Sequence, residues 1–429
     1  MTNNPLNLDE AVEWVGLWWL PDDPGKQIPG ILRYDGEGRS SLSLIGAFEE
    51  RISSSPAPGV TLYHGCVRTW DVIHGVAEQR EITLLGCVPT RSTRTMFARV
   101  ESPDTQTVSA TIAIIGAHVG GEEDAAFAAA EISVEDLGLL AASSVFGSSL
   151  GTHDGTVNGT GSISVKPVAT QTVTVEGTEY SLVHTHTLPF FDRRKGGTVG
   201  RMRETVHIRV RRAEPFALSV ALDAARLIQD LIALAMHRAA GVIWLRLEIA
   251  GTESFLPDGR CLPRRRVNVL YSPVASGKHD EKGVDPGRVF FTCEELPFEE
   301  VVPRWCKAHR RLRAATNMIL GLRYAPARFI ENNLLTAVGA AEALHRGLDI
   351  DEKPIAEAEF DAIRNAMLDQ VPEEHRARFK AAIRNTLTLR DRLLALAARP
   401  NQDAIMQLVP DVDHWAKRTA RARNDFAHE

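Results

Sequence analysis

The hydrophobic pattern of this chain changes period near Pro297, and that change confines the fold to two parts of different class. Before Pro297, short runs alternate apolar and polar residues between Gly-rich turns. Successive side chains of a strand point to opposite faces, so a period of two buries one face of a sheet. Ile31-Leu-Arg-Tyr34, the turn Asp35-Gly-Glu-Gly38 and Leu42-Ser-Leu-Ile45 read as a hairpin. Val60–Gly65, Trp70–His74, Glu81–Val88 and Thr107–Val119 continue the rhythm, followed by Ser162–Lys166, Thr172–Glu176, Tyr180–His186 and Glu204–Arg212. Val242–Ile249, Val267–Tyr271 and Arg288–Phe291 read as three more strands. The exception is Pro215–Ala240, where Leu218, Leu222, Ala225, Ile228 and Leu231 recur at helical spacing, with Pro215 as a start signal and Gly241 as a stop. Trp14, Trp18 and Trp19 read as core aromatics, and Asp22-Asp-Pro-Gly25 as a turn. Gly147–Gly161, rich in Ser, Gly, Thr and Asn, reads as linker-like and marks a candidate subdomain break.

After Pro297 the period is 3.6. Helices are expected over Val302–Gly321, Arg328–Arg346, Glu357–Asp369, Arg376–Leu396 and Gln402–Val409, with a last helix capped by Asp411 or Asp413. Up to six helices in so short a stretch form a compact bundle. The fold expected is α+β: a β-rich, mostly antiparallel region over residues 1–295, then an all-α helical bundle over 296–429.

Composition excludes several classes of function. No apolar run is long enough to span a bilayer and no secretory signal opens the chain, so a cytoplasmic protein with no membrane partner is expected. The five cysteines (Cys66, Cys87, Cys261, Cys293 and Cys306) lack zinc spacing and read as buried free thiols. His184 and His186 share a strand face, but no third ligand is near, which favours a plain strand face over a metal site. No glycine set has the spacing of a phosphate loop or a dinucleotide site. The net charge is −6, yet residues 296–429 hold 21 Lys+Arg against 19 Asp+Glu, with clusters at Arg304–Arg313 and Arg376–Arg392. A phosphate-attracting surface is therefore compatible with an acidic chain, as are solvated helix faces.

The residues that carry chemistry lie at the end of the chain, in Arg421-Ala-Arg-Asn-Asp-Phe-Ala-His-Glu429. Arg423, Asn424 and His428 form R-N-x-x-x-H on an expected helix. Asn424 and His428 are i and i+4 and share a face, whereas Arg423 and His428 lie roughly 140° apart. A symmetric pair of such helices brings two Arg and two His to one seam. His can give or take a proton near neutral pH, and Arg offers a permanently charged fork for phosphate oxygens. Together they suit cleavage of RNA by attack of the ribose 2′-hydroxyl on its own phosphate, chemistry that calls for no metal or other cofactor. The same residues also fit a basic, solvated helix end, where a cation is favoured.

With the opening segments Trp14–Pro21, Ile28–Tyr34 and Leu42–Phe48, this motif makes the chain resemble the ApeA-type anti-phage defence proteins, whose C-terminal domain is a HEPN ribonuclease. The resemblance touches both ends of the chain. It implies an endoribonuclease in which His428 is general acid/base, Arg423 stabilises the phosphate and Asn424 orients the ring. Glu342, in Ala340-Ala-Glu-Ala-Leu-His345, best matches the acidic residue that often completes such a site on an earlier helix, where an arginine is its expected partner. The resemblance further implies an RNA substrate, a homodimer or higher homo-oligomer, and an N-terminal domain that senses a phage-derived trigger in abortive infection. Family sequences usually continue beyond the motif; here Glu429 alone follows His428. The alternative reading is a non-catalytic dimerisation or nucleotide-binding scaffold that keeps the motif as an interface network.

Overall fold

The computed structural model describes residues 5–48, 52–57, 60–64, 68–93, 103–256, 259–278, 281, 283–350 and 353–428, without the side chains of 52–64, 254, 255, 261, 427 and 428. Cys66, the end of Val60–Gly65 and the side chains of Cys261 and His428 therefore lie outside the described residues. The chain divides into two compact units, residues 1–306 and 307–429.

Unit one is built on antiparallel pairing. Its strands are β1 (Val12–Leu20), β2 (Asp23–Tyr34), β3 (Ser40–Ile45), β4 (Ile52–Ala57), β5 (Val60–His64), β6 (Trp70–Ala77), β7 (Arg80–Thr93), β8 (Thr105–Ile115), β9 (Phe127–Val134), β10 (Phe146–His153) and β11 (Thr156–Val165). They continue with β12 (Gln171–Val175), β13 (Thr178–His186), β14 (Phe190–Arg194), β15 (Gly197–Arg201), β16 (Glu204–Phe216), β17 (Val242–Ile249), β18 (Ser254–Phe255), β19 (Cys261–Leu262) and β20 (Arg266–Tyr271). Twelve of them form one sheet in the order β12-β13-β16-β9-β17-β20-β8-β3-β2-β1-β6-β7, and β7 returns to pair with β8. That extra pairing closes β8, β3, β2, β1, β6 and β7 into a ring and leaves β20 through β12 as an open sheet growing from β8. Closure removes edge strands that would otherwise remain unpaired.

The closed part is filled by the alternating apolar residues, among them Trp18, Leu32, Leu42, Ile73, Ile82 and Leu84, none with any exposed surface. Trp14 and Trp18 are core, as the sequence suggests, while Trp19 is partly exposed and sets its ring edge against the stacked pair His74 and His118. Trp18 donates its indole N–H to the Gly30 carbonyl and lies flat over Gly75 of β6, its register partner. A methyl group at Gly75 would overlap the indole ring. Gly75→Ala is expected to cost about 1–3 kcal/mol by overpacking, read as a lowered midpoint in chemical denaturation.

In the open part, α1 (Leu137–Ala141) is a single turn, and α2 (Leu218–Met236) packs on β9, β16 and β17. Of the residues read at helical spacing over Pro215–Ala240, Leu218, Ala225, Ile228 and Leu231 are buried and Leu222 is partly exposed. The helix is shorter than that reading. Pro215 still belongs to β16, and His237 takes the left-handed C-cap, donating its backbone N–H to the Leu234 carbonyl. Gly147–Gly161 lies within the β10–β11 hairpin. Arg288–Phe291 is no strand: Asp285 caps a 3₁₀ turn over Pro286–Arg288 by accepting from the Gly287 N–H.

The face of the open sheet that alternates with these apolar positions is charged. Adjacent strands place Arg209, Glu131, Arg246 and Asn268 in one register row and Arg211, Ala129, Glu248 and Arg266 in the next. Glu131, 1% exposed, accepts from Arg246 Nε and Nη2 at 2.9 and 2.6 Å and from Arg209, with Arg266 Nη2 at 3.3 Å. Desolvation pushes this carboxyl up, but the guanidinium groups of Arg246 and Arg209 outweigh it and hold Glu131 at about 2. His207, buried beside Trp244 and 4.0 Å from Glu131, is lowered as well: burial and the arginines around it bring the imidazole down to about 4, against the attraction of Glu131. His207 is therefore neutral in the folded unit at pH 7. The unfolded chain protonates it first as pH falls below about 6.5, so its stability contribution is full above that value and is lost on the way down to about 4. Unfolding followed from pH 7 to pH 4 should show a loss of about 3 kcal/mol that His207→Gln removes.

Unit two is helical: α3 (Phe298–Arg311, whose last turns enter it), α4 (Arg313–Tyr324), α5 (Ile330–Gly347), α6 (Glu357–Asp369), α7 (Glu373–Ala382), α8 (Leu389–Ala397), α9 (Gln402–Leu408) and α10 (Val412–His428). Two expected helices are each broken in two. Val302–Gly321 divides at Leu312, beside which Arg311 donates to the Gly347 carbonyl and pairs with Asp349. Arg376–Leu396 divides between Ile383 and Thr388, where Asn385 exchanges two hydrogen bonds with the Ile355 backbone and Thr388 starts α8 with a reciprocal cap to Asp391.

Candidate functional site

Helix α10 carries the motif. Asp411 starts it, accepting from the His414 N–H at 2.8 Å. The helix then runs without Gly or Pro to His428. Arg390 of α8 grips Asp413 in the first turn, which fixes α10 to α8. Val412, Ala416, Thr419 and Arg423 recur at i, i+4, i+7 and i+11 and share one face. Ala416 is fully buried, and Val412 and Thr419 line an apolar cavity of about 440 Å³ with Leu334, Ala341 and Leu393 from α5 and α8. Arg423, half-buried, thus ends the stripe that faces the helical core.

Around that stripe the structure brings some of the expected residues together. Arg423 Nη1 donates to Asn424 Oδ1 at 3.1 Å, so the amide oxygen of Asn424 engages the motif arginine. His428 is the last residue of the helix, five residues beyond Arg423 on continuous helical backbone. Glu342 sits on α5, which packs against both α8 and α10. Its carboxylate lies 3.7 Å from Arg392 Nη1 of α8, with both side chains mostly buried. Of the expected partners, Arg423 or another arginine, the one found against Glu342 among the described residues is Arg392, not Arg423.

Beside the motif runs a feature that the sequence reading did not pick out. A groove of about 550 Å³ follows α10 from Asp411 to Ala422, ending one residue before Arg423. His414, Trp415 and Arg418 line it, and Trp415 is 37% exposed. Their spacing of i, i+1 and i+4 places an aromatic ring and two nitrogen-bearing side chains on one helix face, a combination suited to stacking a base and holding a backbone phosphate. The signal was present in Asp413-His-Trp-Ala-Lys-Arg418, masked because an exposed Trp between polar residues also reads as a helix flank.

Several members of the basic clusters in the sequence are tied to carboxylates. Arg304 pairs with Glu300, Arg311 with Asp349, Arg376 with Glu373 and Arg390 with Asp413. His184 is likewise engaged: Nδ1 lies 2.7 Å from Glu204 Oε1, and Nε2 is 3.2 Å from Ser143 Oγ. Among the described residues no cluster of three or more His, Cys, Asp or Glu is arranged to hold a metal ion. Cys87 and Cys306 are buried cysteines in no disulfide and Cys293 is half-buried; burial pushes Cys87 up to about 12 and Cys293 to about 11, out of the range of a nucleophile at neutral pH. No helix among the described residues is long and apolar enough to cross a membrane.

Comparison with known families matches both units. The family described as ApeA N-terminal domain 1 covers residues 13–305, and the family described as Apea-like HEPN covers residues 335–429. No curated protein and no solved structure matches the chain. The second match contains Glu342, all of the groove's lining along α10 except Leu334, and the whole R-N-x-x-x-H motif.

Proposed function

The chain belongs to the ApeA family, and from that premise we propose that it is an anti-phage defence nuclease whose C-terminal helical unit cleaves RNA. One observation carries the reading. Within the HEPN match, the helix that bears Arg423, Asn424 and His428 is held against α5 and α8, the helices of Glu342 and Arg392, and a groove with an exposed Trp leads to the motif. In this reading Arg423 holds the non-bridging oxygens of the scissile phosphate. A histidine takes the proton of the ribose 2′-hydroxyl as O2′ bonds to phosphorus. A second histidine gives a proton to the 5′-oxygen as the P–O5′ bond breaks. One His428 per chain supplies both when two copies pair across a symmetric seam. The products are a 2′,3′-cyclic phosphate and a 5′-hydroxyl. The N-terminal unit restrains the nuclease until a phage-derived trigger releases it, and the protein acts in the cytoplasm, where its RNA substrate lies.

End chemistry tests the reading. RNA cut by the purified protein in the presence of a chelator should carry 2′,3′-cyclic phosphate and 5′-hydroxyl ends. Fragments with 3′-hydroxyl and 5′-phosphate ends would contradict the mechanism. Within the same reading, Trp415→Ala and Arg418→Ala should raise KM for RNA by about tenfold while kcat changes little, because they bind substrate away from the reacting atoms.

A non-catalytic scaffold is the second reading, favoured by the engagement of Asn424 with Arg423 and of Glu342 with Arg392. Glu342→Gln separates the two: it lowers RNA cleavage at unchanged melting temperature if the carboxylate serves the site, and lowers only the melting temperature if it just joins α5 to α8.

A further inference from the structure

The charged face of the N-terminal unit holds a surface cavity of about 750 Å³ at the end of β16, beside the β18–β19 hairpin. Five arginines line it: Arg209, Arg211, Arg212, Arg264 and Arg266. The carboxylates in its wall do not balance them. Glu253 is taken up by Arg264, at 2.5–2.6 Å. Glu248 is shared loosely, with Arg266 Nη2 at 3.4 Å, Arg209 Nη2 at 3.5 Å and Arg211 Nη2 at 3.8 Å. Glu214 is the third and last, so the lining carries two more positive than negative charges. Beneath it, Glu131 is matched by Arg246 and Arg209.

Two guanidinium groups remain under-used. The Nε atoms of Arg211 and Arg266 are buried and have no hydrogen-bond partner among the described residues. Arg212 donates through Nε to Thr178 Oγ1 and pairs with no carboxylate among the described residues. This excess of cation sits in a unit whose residues 1–306 carry a net charge of −9. Gathering uncompensated arginines in a concavity costs self-repulsion, which a bound anion relieves.

From this imbalance we infer that the cavity is a binding site for a small polyphosphorylated molecule of the size of a nucleoside di- or triphosphate. Arg209, Arg211 and Arg212 stand on β16 and Arg266 on β20, the outer two of the four adjacent strands β16, β9, β17 and β20. Glu248, a single carboxylate, meets Arg266, Arg209 and Arg211 only loosely and leaves the Nε atoms of Arg211 and Arg266 unbonded and Arg212 without a carboxylate, whereas a chain of phosphates meets several forks at once. The volume is in the range of small-molecule sites. Ala213, Pro215, Leu262 and Pro263 supply an apolar wall for the uncharged part of the ligand. The inference stands on the first unit alone and is independent of the ribonuclease reading.

Calorimetric titration of the full-length protein at low salt with inorganic tripolyphosphate and with ATP tests it. Saturable binding is expected. Arg211→Gln combined with Arg212→Gln should weaken it by about tenfold or more, since charge-assisted bonds are lost. Both positions lie outside the Glu131 pairs, and Glu214→Gln, which leaves every arginine in place, should tighten binding severalfold. Arg423→Ala should leave the affinity unchanged. Absence of saturable binding by both probes overturns the inference, as does equal affinity in the arginine variant and the native protein. Binding of a single-stranded RNA oligonucleotide that depends on Arg211 and Arg212, with neither polyphosphate bound, assigns the cavity to RNA and overturns it too.

Discussion

Arg423→Ala is expected to lower the rate of RNA cleavage by about 10²–10³-fold, and His428→Ala by a comparable or larger factor. In the proposed mechanism Arg423 contributes most in the transition state, where charge builds on the phosphate oxygens, so kcat should fall more than KM rises. Arg421→Ala is the control. Arg421 lies two residues away, is exposed, and faces Asp425 of the next turn at 3.8 Å, so its loss should change cleavage by less than a factor of about three. Equal losses in Arg421→Ala and Arg423→Ala would reduce the effect to general basicity of the helix end. Single-turnover cleavage of a labelled RNA reads all three variants.

The second large effect is on stability. Glu131 is almost fully buried, and its two oxygens accept from arginines on both neighbouring strands, β16 and β17. Glu131→Ala would leave Arg209, Arg246 and Arg266 crowded with one carboxylate, Glu248, between them. Removing one partner of a buried ion network costs about 3–5 kcal/mol, because the remaining charges stay desolvated and unpaired. For a unit of this size the melting temperature should fall by roughly 10 °C in a calorimetric scan, with the loss confined to the first unit's transition. The depressed carboxyl also sets an acid limit. Its contribution is complete above the ordinary carboxylate range and is lost as pH falls toward about 2, so the native protein and Glu131→Ala should converge in stability at that end of the scale.

Periodicity reveals class far better than register. Glu357–Asp369 was legible to the residue, and α10 to its cap, because helical spacing and an Asp before it are local signals. The break at Thr388 was legible as well: Thr388-Leu-Arg-Asp391 is a capping box, overlooked because the apolar pattern runs on through it. The break at Leu312 was not, since neither Gly nor Pro marks it and the contacts of Arg311 come from more than thirty residues away. The same reasoning applies to the sites. Arg423, Asn424 and His428 lie within six residues and are visible as a motif. Arg209, Arg211, Arg246 and Arg266 are dispersed among ordinary alternating strands, and Glu131 precedes the first of them by nearly eighty residues. Only the pairing of β16, β9, β17 and β20 assembles them, and no local pattern encodes that pairing.

Total cellular RNA, incubated with the purified full-length protein or its His428→Ala variant in a chelating buffer and again in extract from phage-infected cells, provides the most direct measurement. The native protein is predicted to fragment RNA under at least the infected condition, with every new end absent from the His428→Ala lane. Identical fragments from the variant, or intact RNA under both conditions, would contradict a ribonuclease centred on the last helix.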